Sequence, residues 1–268
     1  MENFGTKEGT IEEIKFVEFL NKNKSNNSIW NILSVKLKIL NIKDYYAVRV
    51  TTKQISKLTG EKVLPKADVY IAHGTIPAQY LERNSFFLEE KDAETFNMSK
   101  LNYSGISIKR EDSTRYQILK MTPNTFCKIF NNYELGAGAS IFCQREEELS
   151  KNDSVVRGWN TNWNNMFQYF GNYIPEIRMI NDCSKPLSLR IQIAKKLKEY
   201  SISTIKNKIK GDIKLLDFIF KGVGNFDEPY TATWFFEGGL FRKNEPFDFT
   251  VTTGSGRSHG EFTIVIKP

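Results

Sequence analysis

The sequence 65-PKADVYIA-72 combines a carboxylate with a short run of residues that favour β-structure. Its β-branched and aromatic residues predict a strand that begins directly after Asp68. Further along, 105-GISIKR-110 alternates apolar and polar side chains, with two isoleucines on one side and Ser107 and Lys109 on the other. The two stretches therefore predict two strands, one preceded by an aspartate and one presenting a lysine.

An amphipathic helix is predicted ahead of these strands. In 10-TIEEIKFVEFLN-21 the apolar residues recur at spacings of three and four, with charged residues between them. We expect Thr10 to be the N-cap and Glu13 to complete a capping box. Neighbours on a helix point about 100° apart. Only one of Glu12 and Glu13 can therefore face a site on the strands.

The rest of the chain mixes both periodicities. Strand-like alternation occurs at residues 34–40, 45–51 and 186–193, and helical spacing at residues 53–60, 122–132 and 194–220. The first two strand-like runs are close enough to form a hairpin, and residues 230–268 resemble strands separated by glycine-containing turns. We expect an α/β fold with a mixed central β-sheet flanked by helices and a β-rich C-terminal part. A weak boundary divides it into residues 1–150 and residues 151–268, which could also form one domain.

Composition favours a folded protein. The chain has 268 residues, of which 40% are hydrophobic and 13% aromatic, far from the composition of a disordered polymer. Its three cysteines lack the spacing of a disulfide framework or zinc site, and the N-terminus carries no apolar signal stretch. No apolar run approaches the roughly 18 residues that span a bilayer. These observations predict a cytoplasmic protein without a membrane span.

The positive charge of the chain is concentrated in one segment. Lysine and arginine number 38 against 31 acidic residues, which gives a formal net charge of +7. Residues 185–214 contain nine basic residues and two acidic ones. Such a segment is either a solvated helix face or a surface for a polyanion such as nucleic acid.

The aspartate and the lysine indicate a specific chemistry if their strands are neighbours. Metal-dependent hydrolysis of a phosphodiester needs a carboxylate, further oxygen ligands for a hard ion such as Mg²⁺, and a cation that stabilises charge. Asp68 and Lys109 would then meet at one edge of the sheet, where the carbonyl group of Ile108 is a further ligand. Glu12 or Glu13 would add a second carboxylate from the helix.

Three stretches in this order resemble type II restriction endonucleases of the PD-(D/E)xK nuclease superfamily. They are GTKEGTIEEIKFVEFLN at residues 5–21, PKADVYI at 65–71 and GISIKREDSTRYQILKMTPNTF at 105–126, which together lie within roughly the first 130 residues. The resemblance implies Mg²⁺-dependent, sequence-specific cleavage of double-stranded DNA that leaves 5′-phosphate and 3′-hydroxyl ends. It also implies a homodimer acting on a palindromic target and a companion DNA methyltransferase.

The same resemblance makes residues 1–150 the expected catalytic core and residues 151–268 the expected DNA-recognition part, and it implies roles for individual residues. Asp68 and the carbonyl of Ile108 would hold Mg²⁺, Lys109 would be catalytic, and Glu13 or Glu12 would complete the metal site.

One position departs from the family pattern. The residue two before the lysine is normally Asp or Glu, whereas Ser107 occupies it here. Ser107 remains a candidate member of the catalytic site, as a weaker or water-mediated ligand, and Glu111 or Glu89 are alternative sources of the missing carboxylate.

Side chains that fit base edges or phosphates lie in the second half of the chain. The candidates for contact with DNA are Arg157, Asn160, Asn162, Lys195, Lys196 and Arg257. Two other functions remain open at this point. The protein could be a DNA-binding module without nuclease activity, in which Ser107 marks a decayed site, or an RNA-binding protein that uses its aromatic residues for stacking.

Overall fold

A computed structural model describes residues 4–50, 66–109, 116–141, 153–179, 187–222, 230–254 and 263–268. The chain divides into two compact units. The first consists of Met1–Thr114 and Lys214–Pro246, and the second of Arg115–Ile213 and Phe247–Pro268. Each unit contains chain from both sides of residue 150, so the units do not follow the single division that the sequence suggested.

The first unit contains a mixed β-sheet with helices. Its helices are α1 (Phe4–Lys22), α2 (Ser28–Leu37), α3 (Ala78–Arg83), α4 (Glu90–Thr95) and α10 (Ile213–Lys221, which begins at the unit boundary), and its strands are β1 (Tyr45–Arg49), β2 (Val69–His73), β3 (Ser99–Lys100), β4 (Ile106–Lys109), β6 (Trp234–Glu237) and β7 (Leu240–Lys243). The strands form one sheet in the order β1-β2-β4-β6-β7, with β3 also paired to β2. Pairing is antiparallel except between β4 and β6, which are parallel. The predicted mixed sheet with flanking helices is therefore confirmed.

Helix α1 is fixed against this sheet by its apolar face. Phe16, Val17 and Leu20 are buried, and the Phe16 ring lies 4.5 Å from that of Phe236 on β6. Near the end of the helix, the side-chain amide of Asn21 donates to the carbonyl of Ala47 at 2.9 Å and accepts from its N–H at 2.8 Å. Residues three and four apart share a helix face. The face that packs on the sheet therefore continues, one turn earlier, to Glu13.

The second unit is mainly helical and carries a small antiparallel sheet. Its helices are α5 (Pro123–Phe130), α6 (Tyr133–Ile141), α7 (Asp153–Gly158), α8 (Trp163–Phe170) and α9 (Leu187–Gly211), and its strands β5 (Leu119–Met121), β8 (Thr250–Thr253) and β9 (Ile264–Lys267) pair in the order β5-β9-β8. Helix α6 is buried along its length because its small residues admit large neighbours. A Cβ atom on Gly136 would lie 2.2 Å from the ring of Trp159.

Several predicted elements are confirmed. The strands at residues 45–51, 67–72 and 105–110 correspond to β1, β2 and β4, and the helix at 122–132 corresponds to α5. Thr122 caps α5 by accepting a hydrogen bond from the N–H of Thr125 at 3.3 Å, and Pro123 occupies the first turn. The strands predicted after residue 230 are present, but β6 and β7 belong to the sheet of the first unit and β8 and β9 to that of the second.

Two predicted strands are wrong. Residues 34–40 include the end of α2, whose buried residues Ile29, Trp30 and Leu33 recur at helical spacing just before the alternating run. The hairpin with β1 is therefore also wrong. Residues 186–193 include the start of α9, where Ile193, Ala194 and Leu197 form the buried side. In both cases the alternation covered too few residues to reveal the longer helical period.

Thr10 is not an N-cap, because α1 begins at Phe4 and Thr10 lies within it. The helix predicted at 53–60 lies outside the described residues. Within the described part of the chain, no helix combines the length and apolarity needed to cross a membrane.

Candidate active site

The candidate site lies where the chain that precedes β2 separates from the neighbouring strand β4. Val69 pairs with Ile106, and the N–H of Asp68 donates to the Ile106 carbonyl at 2.9 Å. Before that point the N–H groups of Lys66 and Ala67 donate to the carbonyl of Tyr230, at 3.2 and 3.1 Å. The chain therefore departs from the ladder at Asp68 and leaves the end of β4 without its usual backbone partner.

A glycine makes this departure possible. A Cβ atom on Gly105 would lie 1.9 Å from the carbonyl oxygen of Thr231 and 2.9 Å from the Cβ of Ala67. Both distances are well below van der Waals contact, so only glycine lets the three segments meet here.

The carboxylate of Asp68 takes the place of the missing ladder partner. Its Oδ2 atom accepts a hydrogen bond from the N–H of Ile108 at 2.6 Å and from the hydroxyl of Ser107 at 3.3 Å. In a strand, the N–H and C=O groups of one residue point to the same neighbour. The carbonyl oxygen of Ile108 therefore faces the side of β4 on which Asp68 lies.

Glu13 reaches the same place from α1. Its carboxyl is mostly buried, and this burial together with the charge of Asp68 raises its pKa, while Arg49 and Lys109 act in the opposite direction. Because the charges of Asp68 and Lys109 both act on the pKa of Glu13, the three side chains form one electrostatic cluster. Glu13, one of the two predicted helix glutamates, therefore belongs to this cluster.

Arg49, at the end of β1, is a member of the cluster that the sequence did not reveal. Its side chain is only 5% exposed, and both Nε and Nη2 donate to Oε2 of Glu13, at 3.2 and 2.8 Å. Its Nη1 donates to the carbonyl of Ser85 at 3.3 Å, and its guanidinium lies 4.2 Å from the centre of the Phe87 ring. The only clue in the sequence is the arginine that ends the otherwise uncharged strand YYAVR.

The described hydrogen bonds hold each carboxylate by a single oxygen. Asp68 is held through Oδ2 and Glu13 through Oε2. Oδ1 and Oε1 are therefore the carboxylate oxygens that these bonds do not use. Two carboxylates that repel each other beside a carbonyl oxygen suit a hard divalent cation, which prefers oxygen ligands and would relieve the repulsion.

The donor set is nevertheless small. Among the described residues, no three His, Cys, Asp or Glu side chains are grouped closely enough to hold a metal by themselves. Glu237 of β6 lies in register with Lys109 on the adjacent parallel strand, and its carboxylate is 3.7 Å from Arg242. A cation at this site would thus depend on two carboxylates, the Ile108 carbonyl and water.

Glu89 is the one of the two other candidates for a missing carboxylate that the structure describes. Glu89 is exposed and precedes α4, where its N–H donates to the side chain of Asp92 at 3.2 Å. Glu111 lies outside the described residues.

The predicted contacts with DNA lie in the second unit. Arg157, Asn160 and Asn162 are exposed around the end of α7 and the start of α8. Asn162 caps α8 by accepting from the N–H of Asn165 at 3.0 Å, and Asn160 has a positive φ of 52°. Both asparagines therefore have a structural role at this turn.

Lys195 and Lys196, the two predicted DNA contacts on α9, are exposed but have acidic neighbours. Lys196 pairs with Glu176 at 2.9 Å, and Lys195 lies 3.8 Å from Glu199. The remaining candidate, Arg257, lies outside the described residues.

Comparison with known proteins adds no relative. No protein-family model matches the chain, and no curated protein matches it with significance.

Proposed function

We propose that the protein is a Mg²⁺-dependent endonuclease that cleaves double-stranded DNA at a specific sequence, in the manner of a type II restriction enzyme. One observation carries the proposal. Asp68, Ile108 and Glu13 offer oxygen ligands from three different elements, and the positive charge of Lys109 acts on Glu13. This combination matches what hydrolysis of a phosphodiester requires, a cation-binding group of oxygens next to a positively charged donor.

The chain's own residues would divide the work. Asp68, Glu13 and the carbonyl of Ile108 would hold Mg²⁺, which when bound supplies positive charge to the phosphate and favours ionisation of water. Lys109 would orient the attacking water or stabilise the charge that develops on the phosphate. Ser107 would support Asp68 through the 3.3 Å hydrogen bond instead of supplying a strong ligand of its own.

Contact with DNA is assigned to the second unit in this proposal. The basic residues of α9 would provide salt-dependent, sequence-independent affinity, and Arg157, Asn160, Asn162 and Arg257 are candidates for the base edges. A palindromic target would require a two-fold symmetric homodimer. The cellular setting that we propose is the cytoplasm, with a companion methyltransferase protecting the host DNA.

Incubation of the purified protein with plasmid and phage DNA in Mg²⁺ tests the proposal. We expect discrete fragments that depend on Mg²⁺ and disappear in EDTA. Asp68→Asn, prepared in parallel, should yield no fragments, because a neutral amide is a poor ligand for Mg²⁺. Ser107→Ala is the matched control beside it and should retain most of the activity. Equal cleavage by the parent and Asp68→Asn would assign the activity to a contaminant and reject the proposal.

One observation favours a second candidate, a DNA-binding protein without nuclease activity. The position that normally carries an acidic ligand is occupied by Ser107, which donates to Asp68. A protein of this kind would bind duplex DNA with the same salt dependence but would release no fragments under any divalent cation. Competition by single-stranded RNA would distinguish the third possibility, RNA binding.

A further inference from the structure

The contact between Arg49 and Glu13 has an unusual form. Arginine and carboxylate groups commonly pair through two parallel hydrogen bonds, one to each oxygen. Here Nε and Nη2 both donate to Oε2 of Glu13. The guanidinium therefore holds the carboxylate without using Oε1.

Arg49 is itself held rigidly. The residue is 4% exposed, its Nη1 donates to the carbonyl of Ser85 at 3.3 Å, and its guanidinium stacks on the ring of Phe87 at 4.2 Å. Its N–H also donates to the carbonyl of Phe86 at 2.8 Å. Strand β1 and the segment from Ser85 to Phe87 thus fix the guanidinium, and the guanidinium in turn limits the rotation of the Glu13 carboxylate.

We propose that Arg49 is a positioning residue for cation binding, which orients the Glu13 carboxylate so that Oε1 remains available beside Asp68. This inference rests on the proposed function, because it assumes that the two carboxylates receive Mg²⁺. Arg49 is not a ligand, since guanidinium cannot bind a cation. It acts through Glu13, as residues behind the ligands of metal sites commonly do.

A pure charge effect and a positioning effect predict opposite changes in Mg²⁺ binding for Arg49→Met. A fixed positive charge near a cation site repels the cation. If charge were all that mattered, Arg49→Met would bind Mg²⁺ more tightly than the parent. If Arg49 positions Glu13, the same substitution weakens binding. Arg49→Lys keeps the charge but loses the planar arrangement of donors, so a change in that variant reports on geometry.

The experiment measures binding of Mg²⁺ to the full chain by calorimetry, without DNA, together with cleavage of plasmid DNA. We expect Arg49→Lys and Arg49→Met to weaken Mg²⁺ binding about tenfold, the lower end of what such residues contribute. Arg83→Met, an exposed arginine of α3, is the matched control and should bind like the parent. In a Glu13→Gln background, Arg49→Lys should cause no further loss, because the carboxylate on which it acts is already absent.

The outcomes separate the two proposals. Parent-like binding in Arg49→Lys, or tighter binding in Arg49→Met, would overturn the role of Arg49 while leaving a cleaving parent enzyme as a nuclease. A parent that neither binds Mg²⁺ nor cleaves would overturn both. If circular dichroism shows that both Arg49 variants are unfolded, Phe87→Leu replaces them. Removing the ring that holds the guanidinium should weaken Mg²⁺ binding about threefold, and unchanged binding would reject the inference.

Discussion

The candidate active site and the surface of α9 hold their charges in opposite ways. In the first unit, Asp68 is bonded to the backbone of β4 and Glu13 to a buried arginine. In the second unit, Lys195 and Glu199 are both more than 60% exposed and lie 3.8 Å apart. The first arrangement fixes the orientation of the charged groups but removes them partly from water. The second leaves long, exposed side chains free to change their conformation.

This difference separates two kinds of contribution. Fixed, partly buried groups can stabilise a transition state, because their direction does not need to change during the reaction. Exposed lysines contribute mainly to affinity through the release of counterions, and each one contributes similarly. Substitutions in the first region should therefore change the rate of cleavage, and substitutions in the second should change binding.

The largest expected effect belongs to Lys109. Lys109→Ala should lower the single-turnover rate of DNA cleavage at least about 100-fold, because in the proposed function the removed ammonium would act on charge that develops in the transition state. The dissociation constant for DNA should change less than about threefold, since many other phosphate contacts remain. Gel-shift and quenched-flow measurements at saturating protein separate the two quantities.

Lys36→Ala, which removes an exposed lysine of α2, is the control and should cleave at the parent rate. A Lys109→Ala protein that cleaves within tenfold of the parent would remove Lys109 from the site.

The two glutamates of α1 provide the next test. Glu13→Gln should lower cleavage about 10- to 100-fold and raise the Mg²⁺ concentration needed for half-maximal rate, because it removes one of the two carboxylates. Glu12→Gln should cleave within threefold of the parent, since it points about 100° away around the helix. A titration of cleavage against Mg²⁺ for the two variants makes the comparison. The reverse order of effects would place the site on the other side of α1.

The positions of β2, β4 and the helix that carries Glu12 and Glu13 could be predicted because local pattern determines them, whereas the choice between the two glutamates stayed open. Strand β2 is apolar over four residues, and β4 alternates in the expected period. The places of Asp68, directly before β2, and of Lys109, on β4, then follow from these strands. Here sequence and structure agree because no distant contact is needed to define either element.

Arg49 could not be predicted in the same way. Its role depends on the carboxylate of Glu13, 36 residues earlier in the chain, and on the carbonyl of Ser85, 36 residues later. No local periodicity reports such contacts. The same reason explains why residues 186–193, at the start of α9, were wrongly predicted to be a strand, because a short alternating run does not reveal the buried neighbours that define the longer period.

Substitutions on the exposed surface of α9 should have smaller effects than substitutions in the candidate active site. The double variant Lys195→Gln and Lys196→Gln should reduce the slope of log affinity against log salt by about 2, if each lysine neutralises one phosphate. Its cleavage rate at saturating DNA should equal that of the parent. Lys36→Gln combined with Lys38→Gln removes two exposed lysines of the first unit and provides the matched control. Equal slopes in both double variants would exclude this part of α9 from the DNA interface.

The smallest effect concerns Lys24, a partly buried cation outside the candidate site. It lies at a cavity of about 320 Å³, donates to the carbonyl of Lys43 at 2.9 Å and stacks over the ring of Tyr46 at 3.8 Å. Burial lowers its pKa to about 8, against an opposing effect of Asp44. The side chain of Lys24 therefore has its ordinary pKa in the unfolded chain and a lowered pKa in the folded protein.

The sign of the pH dependence follows from these two pKa values. Between about pH 8 and 10.5 the unfolded chain binds more protons than the folded protein at Lys24, so stability rises with pH in that window. Below pH 8 the amine is charged in both states, and the folded state bears the full cost of burying it.

The free energy of unfolding of the parent, relative to that of Lys24→Met, should therefore be larger at pH 9.5 than at pH 7 when both are measured by urea denaturation. Lys22→Met, which removes an exposed lysine whose pKa is raised by Glu18, should show no such increase. A constant difference between the parent and Lys24→Met across this range would mean that burial does not lower the pKa of Lys24 in the folded protein.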